Sequence, residues 1–305
     1  MKIVENPSEE RELIGSIIKK YGYTPDHNFD WLMYCADEGS PRVALWDNGY
    51  AIWCYQHNDV ARRYVDNWVV VSDPIAPVDK HREILAEFVN YLFDSGASRI
   101  GFLDVRDTVH DIIRNLYPDN YKFDYDIVWP TVDMNLFDPE LPGGHFKEIR
   151  NALNKFNREH GVEIKEATTV DKNDLRGIVD RWLDNRTKAG IEELFPGRYH
   201  NMIDGNFKRT DSARVMFVDG KAVGFNAGWE TPNNSSEWSA AIGLHDFSVK
   251  DLGLALLMED LIWIKKAGYK TCDLEGSDPQ ALRFKTQFFP GGYNSYKTYS
   301  FWLDK

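Results

Sequence analysis

The sequence predicts an α/β protein that is built from two copies of one folding unit. Its 305 residues, 43% of them hydrophobic, are enough for two ordinary domains of about 150 residues each. Several landmarks also recur in the same order 172 residues further along the chain. These recurring pairs are Arg42–Val43 with Arg214–Val215, Gly96 with Gly268, Pro118 with Pro290, and Tyr121 with Tyr293. Because both sets lie in the same alternation of strand and helix signals, we predict two related domains.

The first copy contains the signals of a complete α/β unit. Its predicted elements are, in order, a helix over 8–20, a strand pair within 42–55, a strand over 67–71, a helix over 79–93, a strand over 99–105, a short helix, and a Tyr-rich strand within 116–129. The strand pair encloses Asp47-Asn48-Gly49, which is typical of a hairpin turn. Apolar residues at helical spacing over 79–93 indicate one buried face.

The second copy repeats this order. Its predicted elements are a helix over 171–189, a strand pair within 214–229, a strand over 237–244, a helix over 251–266, a strand over 270–276, a short helix, and a last strand within 288–302. A further helix over 145–161 connects the copies and ends at Gly161. We therefore predict an N-terminal domain over 1–142, a linking helix within 143–162 and a C-terminal domain over 163–305. Each domain is expected to be a mixed, twisted sheet flanked by helices.

The charge of the chain restricts its partners. There are 36 basic and 48 acidic side chains, which give a net charge of −12. This excludes a DNA-binding protein with a generally basic surface, because phosphates would be repelled everywhere except at a local basic patch. No apolar run approaches the ~20 residues that span a bilayer, and the N-terminus does not have the pattern of a signal peptide. With only three cysteines, none in CxxC spacing, the sequence predicts a cytoplasmic protein.

The start of the predicted helix over 251–266 is a candidate phosphate site. Lys250, Gly253 and Ala255 lie where a strand gives way to this helix. Free backbone N–H groups and the helix dipole favour an anion there, and a glycine lets a phosphate approach closely. We predict that these three residues bind the phosphates of a co-substrate. The alternative is that Gly253 is required only for packing.

Arg283-Phe284-Lys285, before the last predicted strand, is a second candidate feature. Ile113 occupies the position of Lys285 in the first copy, so the ammonium group is specific to the second copy. An ammonium group can stabilise a developing oxyanion or bind a phosphate, which makes Lys285 a candidate catalytic residue. Arg283 and Phe284 are candidate substrate contacts. The alternative is a solvated lysine on a polar helix face.

Four carboxylates near these features, Asp246, Asp273, Glu275 and Asp278, are candidates for a general base or a substrate contact. Asp246 precedes the candidate phosphate site, and Glu275 and Asp278 lie at the end of the strand over 270–276. The carboxyl ends of strands are where α/β sheets bind ligands. We predict Asp246 and Glu275 as catalytic residues and Asp278 as a substrate contact. The alternative is that some of them only cap helices or face solvent.

The predicted linking helix carries a local excess of positive charge. Its charged residues are Lys147, Glu148, Arg150, Lys155, Arg158 and Glu159. Arg150 and Lys155 are therefore candidate substrate-binding residues that contact phosphates, and the alternative is a solvated helix face. The eight histidines are scattered, with neither an HExxH motif nor a Cys/His cluster, so we predict no metal site.

Six motifs occur in a characteristic order along the chain. They are SDPIAP (72–77), IRNALNKFNREHG (149–161), RWLDNRTKAG (181–190), GKAVGFNAGW (220–229), LMEDLIWIKKAGY (257–269) and RFKTQFFP (283–290). In this order the motifs resemble the C-terminal synthase domain of phosphatidylglycerol lysyltransferases, a tandem GNAT acyltransferase fold related to the Fem peptidyltransferases. The spacing from Lys250 to Ala255 is also similar to the pyrophosphate loop of the GNAT superfamily. The resemblance implies two tandem GNAT-like domains, of which the second is catalytic and the first is a degenerate copy.

The resemblance implies transfer of an aminoacyl group from aminoacyl-tRNA to an amine or hydroxyl, with neither a metal nor a covalently bound cofactor. It places Phe284 and Lys285 near the tRNA 3′ end, and the tRNA binds through a local basic patch. The family's Asp-Leu-Met-Arg and Ala-Pro-Leu stretches correspond here to residues 244–250 and to Glu275-Gly276-Ser277-Asp278. Because of these departures, neither lysine nor phosphatidylglycerol is implied as a substrate. The expected acceptor is a soluble small molecule, a peptide or a lipid headgroup.

Two other functions remain open from the residues. The candidate phosphate site equally suits an N-acyltransferase whose donor is an acyl-CoA. A tandem domain without the complete motifs of its family can also be a non-catalytic binding module.

Overall fold

The computed structural model describes residues 1–35, 39–57, 67–191 and 195–305. The chain divides into two compact units. The first comprises Met1–Trp129, Thr231–Asn233 and Ser295–Lys305, and the second comprises Pro130–Glu230 and Asn234–Asn294. The sequence analysis predicts residues 295–305 in the C-terminal domain, whereas they belong to the first unit.

The first unit is a mixed sheet covered by helices. Its elements are β1 (Lys2–Val4), α1 (Arg11–Tyr21), α2 (Phe29–Tyr34), β2 (Ser40–Trp46), β3 (Tyr50–His57), β4 (Asn67–Val71), α3 (His81–Asp94), β5 (Arg99–Arg106), α4 (Asp107–Leu116), the first part of β6 (Tyr121–Asp133), and, from the end of the chain, β12 (Asn294–Asp304). The strand order is β1-β2-β3-β4-β5-β12-β6. β4 and β5 are parallel, and α3 packs on the sheet through buried residues that include Phe88 and Leu92.

The second unit has the same kind of sheet. Its elements are the end of β6, α5 (Lys147–Glu159), β7 (Val162–Glu166), α6 (Lys172–Lys188), α7 (Gly197–Asp204), β8 (Ser212–Val218), β9 (Lys221–Thr231), β10 (Asn234–His245), α8 (Leu252–Ala267), β11 (Thr271–Asp273) and α9 (Pro279–Thr286). The strand order is β6-β11-β10-β9-β8-β7, with β10 and β11 parallel. α8 packs on this sheet through buried residues that include Leu261 and Ile264.

The observed elements agree closely with the predicted ones. The helices predicted over 79–93, 145–161 and 251–266 are α3, α5 and α8, each within two residues at either end. Elements follow one another in the same order from β2 to β6 as from β8 to β12. Descent of the two segments from one repeated unit stays a prediction. β1, α2, β7 and α7 have no counterpart among the predicted elements.

One pair of corresponding glycines ends the two crossover helices. Gly96 follows α3 with a φ of 99°, and Gly268 follows α8 with a φ of 91°. Only glycine adopts this left-handed conformation without strain, and it commonly ends a helix. The two glycines, one of the landmark pairs 172 residues apart, therefore have the same backbone role.

We expect Gly228→Ala to destabilise the second unit by at least about 3 kcal/mol, because the new methyl group has no space. A Cβ atom at Gly228 of β9 would lie 2.2 Å from the carbonyl oxygen of Ser239 and 2.7 Å from the ring of Trp238. Urea unfolding followed by circular dichroism measures the free energy of unfolding. The matched control is Gly15→Ala in α1, where a Cβ atom meets nothing within 4 Å. We expect the control to stabilise the chain by about 0.5–1 kcal/mol, and equal effects of the two variants would contradict this packing.

Candidate functional site

The parallel strands β10 and β11 of the second unit are no longer paired beyond Ser239 and Asp273, at their carboxyl end. β11 pairs with β10 only through Thr271, Cys272 and Asp273, opposite Glu237, Trp238 and Ser239. β10 then continues to His245, while the chain after β11 turns away into the loop before α9. Ligands of α/β sheets bind at such carboxyl ends. The loop after β11 is therefore where we examine the predicted site residues first.

Lys285 on α9 holds this loop. Its Nζ donates to the carbonyl oxygens of Leu274 at 2.5 Å and of Glu275 and Gly276 at 3.3 Å each. An ammonium group has three N–H donors, so these carbonyls can take all of them. Burial lowers the pKa of Lys285, and the negative charges of Glu275 and Asp273 oppose that shift. Lys285 is therefore not a solvated lysine on a helix face, because its ammonium group is bonded to the backbone of the loop.

Glu275 is presented by an uncommon backbone conformation. Its φ is +64°, in the left-handed region that non-glycine residues rarely adopt. Its backbone N–H donates to Oδ1 of Asp273 at 2.8 Å, and its Oε1 accepts a hydrogen bond from Oγ of Ser239 at 2.8 Å. These bonds hold the carboxylate of Glu275 beside β10. The structure thus brings together two predicted catalytic residues, Glu275 and Lys285, within one loop.

Ser239 and Asp273 complete this arrangement; the sequence analysis names Asp273 among the candidate carboxylates but gives it no role, and it does not name Ser239. Both are buried, with exposed fractions of 0% and 1%. β10 has the sequence NSSEWSAAIGLH, in which polar and apolar residues are mixed, so no local pattern distinguishes Ser239. We use the name lysine cluster for Ser239, Asp273, Glu275 and Lys285.

The other predicted residues of α9 have different surroundings. Oδ1 of Asp278 accepts hydrogen bonds from the backbone N–H groups of Gln280 and Ala281, both at 2.8 Å. Asp278 is therefore the N-cap of α9, which is a structural role. Arg283 and Phe284 are exposed on the same helix, and 38% of Phe284 is accessible. Both can contact a ligand without displacing any packed side chain.

Asp246 does not belong to the lysine cluster. It lies seven residues beyond Ser239, which corresponds to about 20 Å along a strand. Its carboxylate is buried, pairs with Nε of Arg181 at 2.7 Å and with Nζ of Lys221 at 3.7 Å, and accepts a hydrogen bond from Oγ of Ser248 at 2.6 Å. The prediction that Asp246 is a catalytic residue stays a prediction, and its carboxylate is engaged by Arg181, Lys221 and Ser248. Asp246 is close in sequence to the candidate phosphate site, but β10 continues to His245 and so separates Asp246 from Ser239.

The start of α8 supports the packing alternative for Gly253. A Cβ atom at Gly253 would lie 2.8 Å from Nε2 of His245, so the imidazole ring occupies the space beside this glycine. Burial lowers the pKa of His245 to about 4, so the ring is neutral at pH 7. Lys250 is exposed, whereas Ala255 is buried in a small apolar cluster. The three residues predicted to bind phosphate are thus in three different environments.

The two predicted contacts on α5 also differ from one another. Nη1 of Arg150 donates to the carbonyl oxygens of Leu141 and Gly143, the latter at 2.8 Å. This guanidinium group holds the loop before α5. Lys155 is exposed, and its Nζ lies 3.9 Å from Oε1 of Glu159 on the same helix. Of the two, Lys155 has the charge that is available at the surface.

The first unit has a polar cluster at the corresponding end of its own parallel pair. Asp73 follows β4 and is 3% exposed; its Oδ2 accepts a hydrogen bond from Oη of Tyr23, and its Oδ1 accepts one from the backbone N–H of Arg106 at 2.9 Å. The guanidinium group of Arg106 lies 4.2 Å from the ring centre of Tyr296. Asp73 belongs to the motif SDPIAP, which the sequence analysis uses only as a landmark.

Two kinds of feature are missing from the described part of the chain. Within residues 1–35, 39–57, 67–191 and 195–305, no group of three or more His, Cys, Asp or Glu side chains is arranged to hold a metal ion. In the same ranges, no helix has the length and apolar character needed to cross a bilayer.

Comparison with known proteins identifies one family and its fold. Residues 37–274 match the family described as phosphatidylglycerol lysyltransferase, C-terminal. No curated protein matches the chain. Among solved structures, L-PGS from Bacillus licheniformis is 16% identical with a TM-score of 0.67, covering 97% of this chain and 91% of that one. FemX is 9% identical with a TM-score of 0.59, covering 100% and 98%. A GCN5-related N-acetyltransferase from Sphaerobacter thermophilus is 15% identical with a TM-score of 0.50, covering 87% and 80%. The predicted fold class, mixed α/β and GNAT-like, is confirmed.

We expect Asp246→Asn to cost about 1–3 kcal/mol of stability at pH 7, because Arg181 and Lys221 lose a buried counter-charge. Burial opposes ionisation of Asp246, but hydrogen bonds from Ser248 and the two cations outweigh it and lower its pKa. A lowered folded-state pKa contributes stability above the unfolded value of 3.8, and that contribution is lost as the pH falls through the folded value. The difference between wild type and variant is therefore full at pH 7 and shrinks below about pH 4.

Urea unfolding at several pH values between 2.5 and 7 tests this expectation. The control is Asp251→Asn, which makes the same change of charge at a residue with a φ of 60° and no capping hydrogen bond from its side chain. Asparagine tolerates that conformation, so we expect a change within about 0.5 kcal/mol. A pH-independent difference for Asp246→Asn would show that its charge does not stabilise the fold.

Proposed function

We propose that this chain, which belongs to the family of the phosphatidylglycerol lysyltransferase C-terminal domain, transfers an aminoacyl group from aminoacyl-tRNA to an amine or hydroxyl. Membership of the family makes the chain an acyltransferase. The tRNA-borne donor is our proposal, as is the acceptor: a soluble small molecule, a peptide or a lipid headgroup. Since charged tRNA is found in the cytoplasm, we assign the reaction to that compartment.

One observation carries this proposal: Lys285 and Glu275 lie together at the open end of the parallel pair. A half-buried ammonium group and a fixed carboxylate can stabilise an oxyanion and act as a general base in acyl transfer to an amine or hydroxyl. The family match ends at residue 274, so both residues lie outside the matched region. Their assignment therefore rests on geometry and on the chemistry of the reaction.

We propose the following roles in the reaction. The acceptor nitrogen or oxygen attacks the ester carbonyl of the aminoacyl group, and Glu275 takes the proton that the nucleophile loses. The positive charge of Lys285 favours the negative oxygen of the tetrahedral intermediate. When that intermediate collapses, the bond between the acyl carbon and the ribose oxygen breaks, and Glu275 passes the proton to that oxygen, which leaves as the ribose hydroxyl. Lys285 is also a positioning residue, because it fixes the loop that carries Glu275.

Binding of tRNA by a chain with a net charge of −12 requires local cations. Lys250, Lys155 and Arg283 are exposed and carry the charge that a phosphate backbone needs. Phe284 is exposed beside Arg283 and offers a ring on which an unpaired base can stack. We propose these four residues as the contacts of the tRNA acceptor end.

The acyl-CoA alternative has less support from the side chains. It depends on Gly253 as part of a pyrophosphate loop, and the imidazole of His245 fills the space beside that glycine. A donor assay separates the two functions. Purified chain is incubated with tRNA charged with each radiolabelled amino acid, or with acetyl-CoA, and with amines, dipeptides or phosphatidylglycerol vesicles as acceptors.

We expect label to move from aminoacyl-tRNA to an acceptor and none to move from acetyl-CoA. Glu275→Gln should reduce the transfer rate by about 10²-fold or more, the usual contribution of a general base. Lys285→Ala should reduce it by a similar factor, and Lys285→Arg, which keeps a cation near the three carbonyls, should retain part of the activity.

The matched control is Asp278→Ser, because serine also caps helices and leaves α9 intact. We expect its transfer rate to be unchanged and all variants to keep the circular dichroism spectrum of the wild type. Transfer from acetyl-CoA alone would favour the acyl-CoA function. Binding of tRNA without turnover of any donor would favour a binding module.

A further inference from the structure

The second unit contains a cavity that shares no residue with the lysine cluster. Its volume is about 460 Å³, within the range of about 300–1,000 Å³ that is typical of small-molecule sites. The cavity is lined by α5, β7, β8 and α8, and its apolar lining residues include Leu153, Phe156, Ile164, Met216, Met258 and Ile262. The cavity therefore offers an apolar surface on which an aliphatic chain can pack.

A carboxylate of a buried ionic group forms part of the wall. Glu259 on α8 lines the cavity, and its carboxylate and that of Asp260 share one cation, the guanidinium group of Arg214. Arg214 is 5% exposed, donates to Oδ1 of Asp260 at 2.7 Å and to Oγ of Ser212 at 3.2 Å, and lies 4.6 Å from the ring centre of Trp263. When both carboxylates are ionised, one buried cation leaves an excess negative charge next to the cavity.

The other charged groups nearby do not remove this excess. Glu140 and Arg150 also line the cavity, but Nη1 of Arg150 is bonded to two backbone carbonyls. Glu166 and Lys266 also act on Glu259, with opposite signs. Burial raises the pKa of Glu259, and it raises that of Asp260 to about 7. Such shifts are the consequence of burying carboxylates without enough positive charge.

We propose that this cavity binds a primary amine with an aliphatic chain, its ammonium group beside Glu259 and its chain on the apolar lining. A bound ammonium group supplies the missing positive charge beside the partly buried carboxylate of Glu259, and charge-assisted hydrogen bonds are stronger than neutral ones. An anionic or neutral molecule of the same shape gains the apolar contacts but not the ion pair. The site therefore selects by charge as well as by shape.

Three probes that differ only in their polar group test this proposal. Octylamine, octanol and octanoate are titrated separately into isotopically labelled protein at pH 7, and the dissociation constants are measured from amide shifts. We expect saturable binding of octylammonium with shifts at β7, α5 and α8. Octanoate should bind at least about tenfold more weakly, since one charge-assisted hydrogen bond exceeds 1.4 kcal/mol.

Two variants locate the binding site. Glu259→Gln keeps an acceptor for Arg214 and should weaken octylammonium to the affinity of octanol. Ile164→Trp places a large ring over the cavity from the edge strand β7, where aromatic residues are tolerated, and should abolish binding of all three probes. The matched control is Glu163→Gln, since Glu163 alternates with Ile164 and lies on the opposite face of β7.

We expect the control to bind octylammonium as the wild type does. Equal affinity for the three probes would overturn the proposal. It would also be overturned if octylammonium bound but neither Glu259→Gln nor Ile164→Trp weakened it. The test measures binding alone, so its result is independent of whether the chain transfers aminoacyl groups.

Discussion

Both units depend on one constraint of chain geometry: two adjacent parallel strands cannot be joined by a hairpin and need a crossover connection. α3 supplies it between β4 and β5, and α8 supplies it between β10 and β11. Each crossover helix has to bury one face on its sheet, which explains why Phe88 and Leu261 are inaccessible. The same constraint brings the residues that follow the paired strands to one edge of the sheet. That is why each unit has a buried polar cluster there.

The constraint also explains how much of the fold the sequence predicts. A helix with one buried face has a strong apolar period, so α3 and α8 are predictable to within two residues. β7 is a short edge strand with the sequence VEIKE, in which polar residues outnumber apolar ones, so its apolar signal is weak. α2 has six residues and is too short for a period. β12 is predictable as a strand, but its pairing with β5 depends on residues nearly 200 positions away.

The candidate site is predictable as a set of residue types and not as a set of contacts. Glu275 stands out because it lies at the carboxyl end of a predicted strand. Lys285 stands out because Ile113 occupies its position in the first copy. Which acceptors the ammonium group meets depends on the path of the loop after β11, and no local pattern encodes it. Arg150 and Lys265 behave in the same way, since each cation is bonded to two carbonyl oxygens of a loop. Of the cations predicted as site residues, Lys285 and Arg150 thus bond to the backbone of a loop.

The place of β12 in the first unit has a consequence for the order in which the chain can fold. Most domains fold as units during synthesis, the N-terminal one first. Here β12 lies between β5 and β6, and Arg99 pairs with Asp304 at 2.5 Å. The sheet of the first unit therefore cannot be completed until residue 304 has left the ribosome, after all the strands of the second unit have been made. Until then β5 and β6 lack the strand that lies between them, and unpaired strand edges are sites where other chains can add.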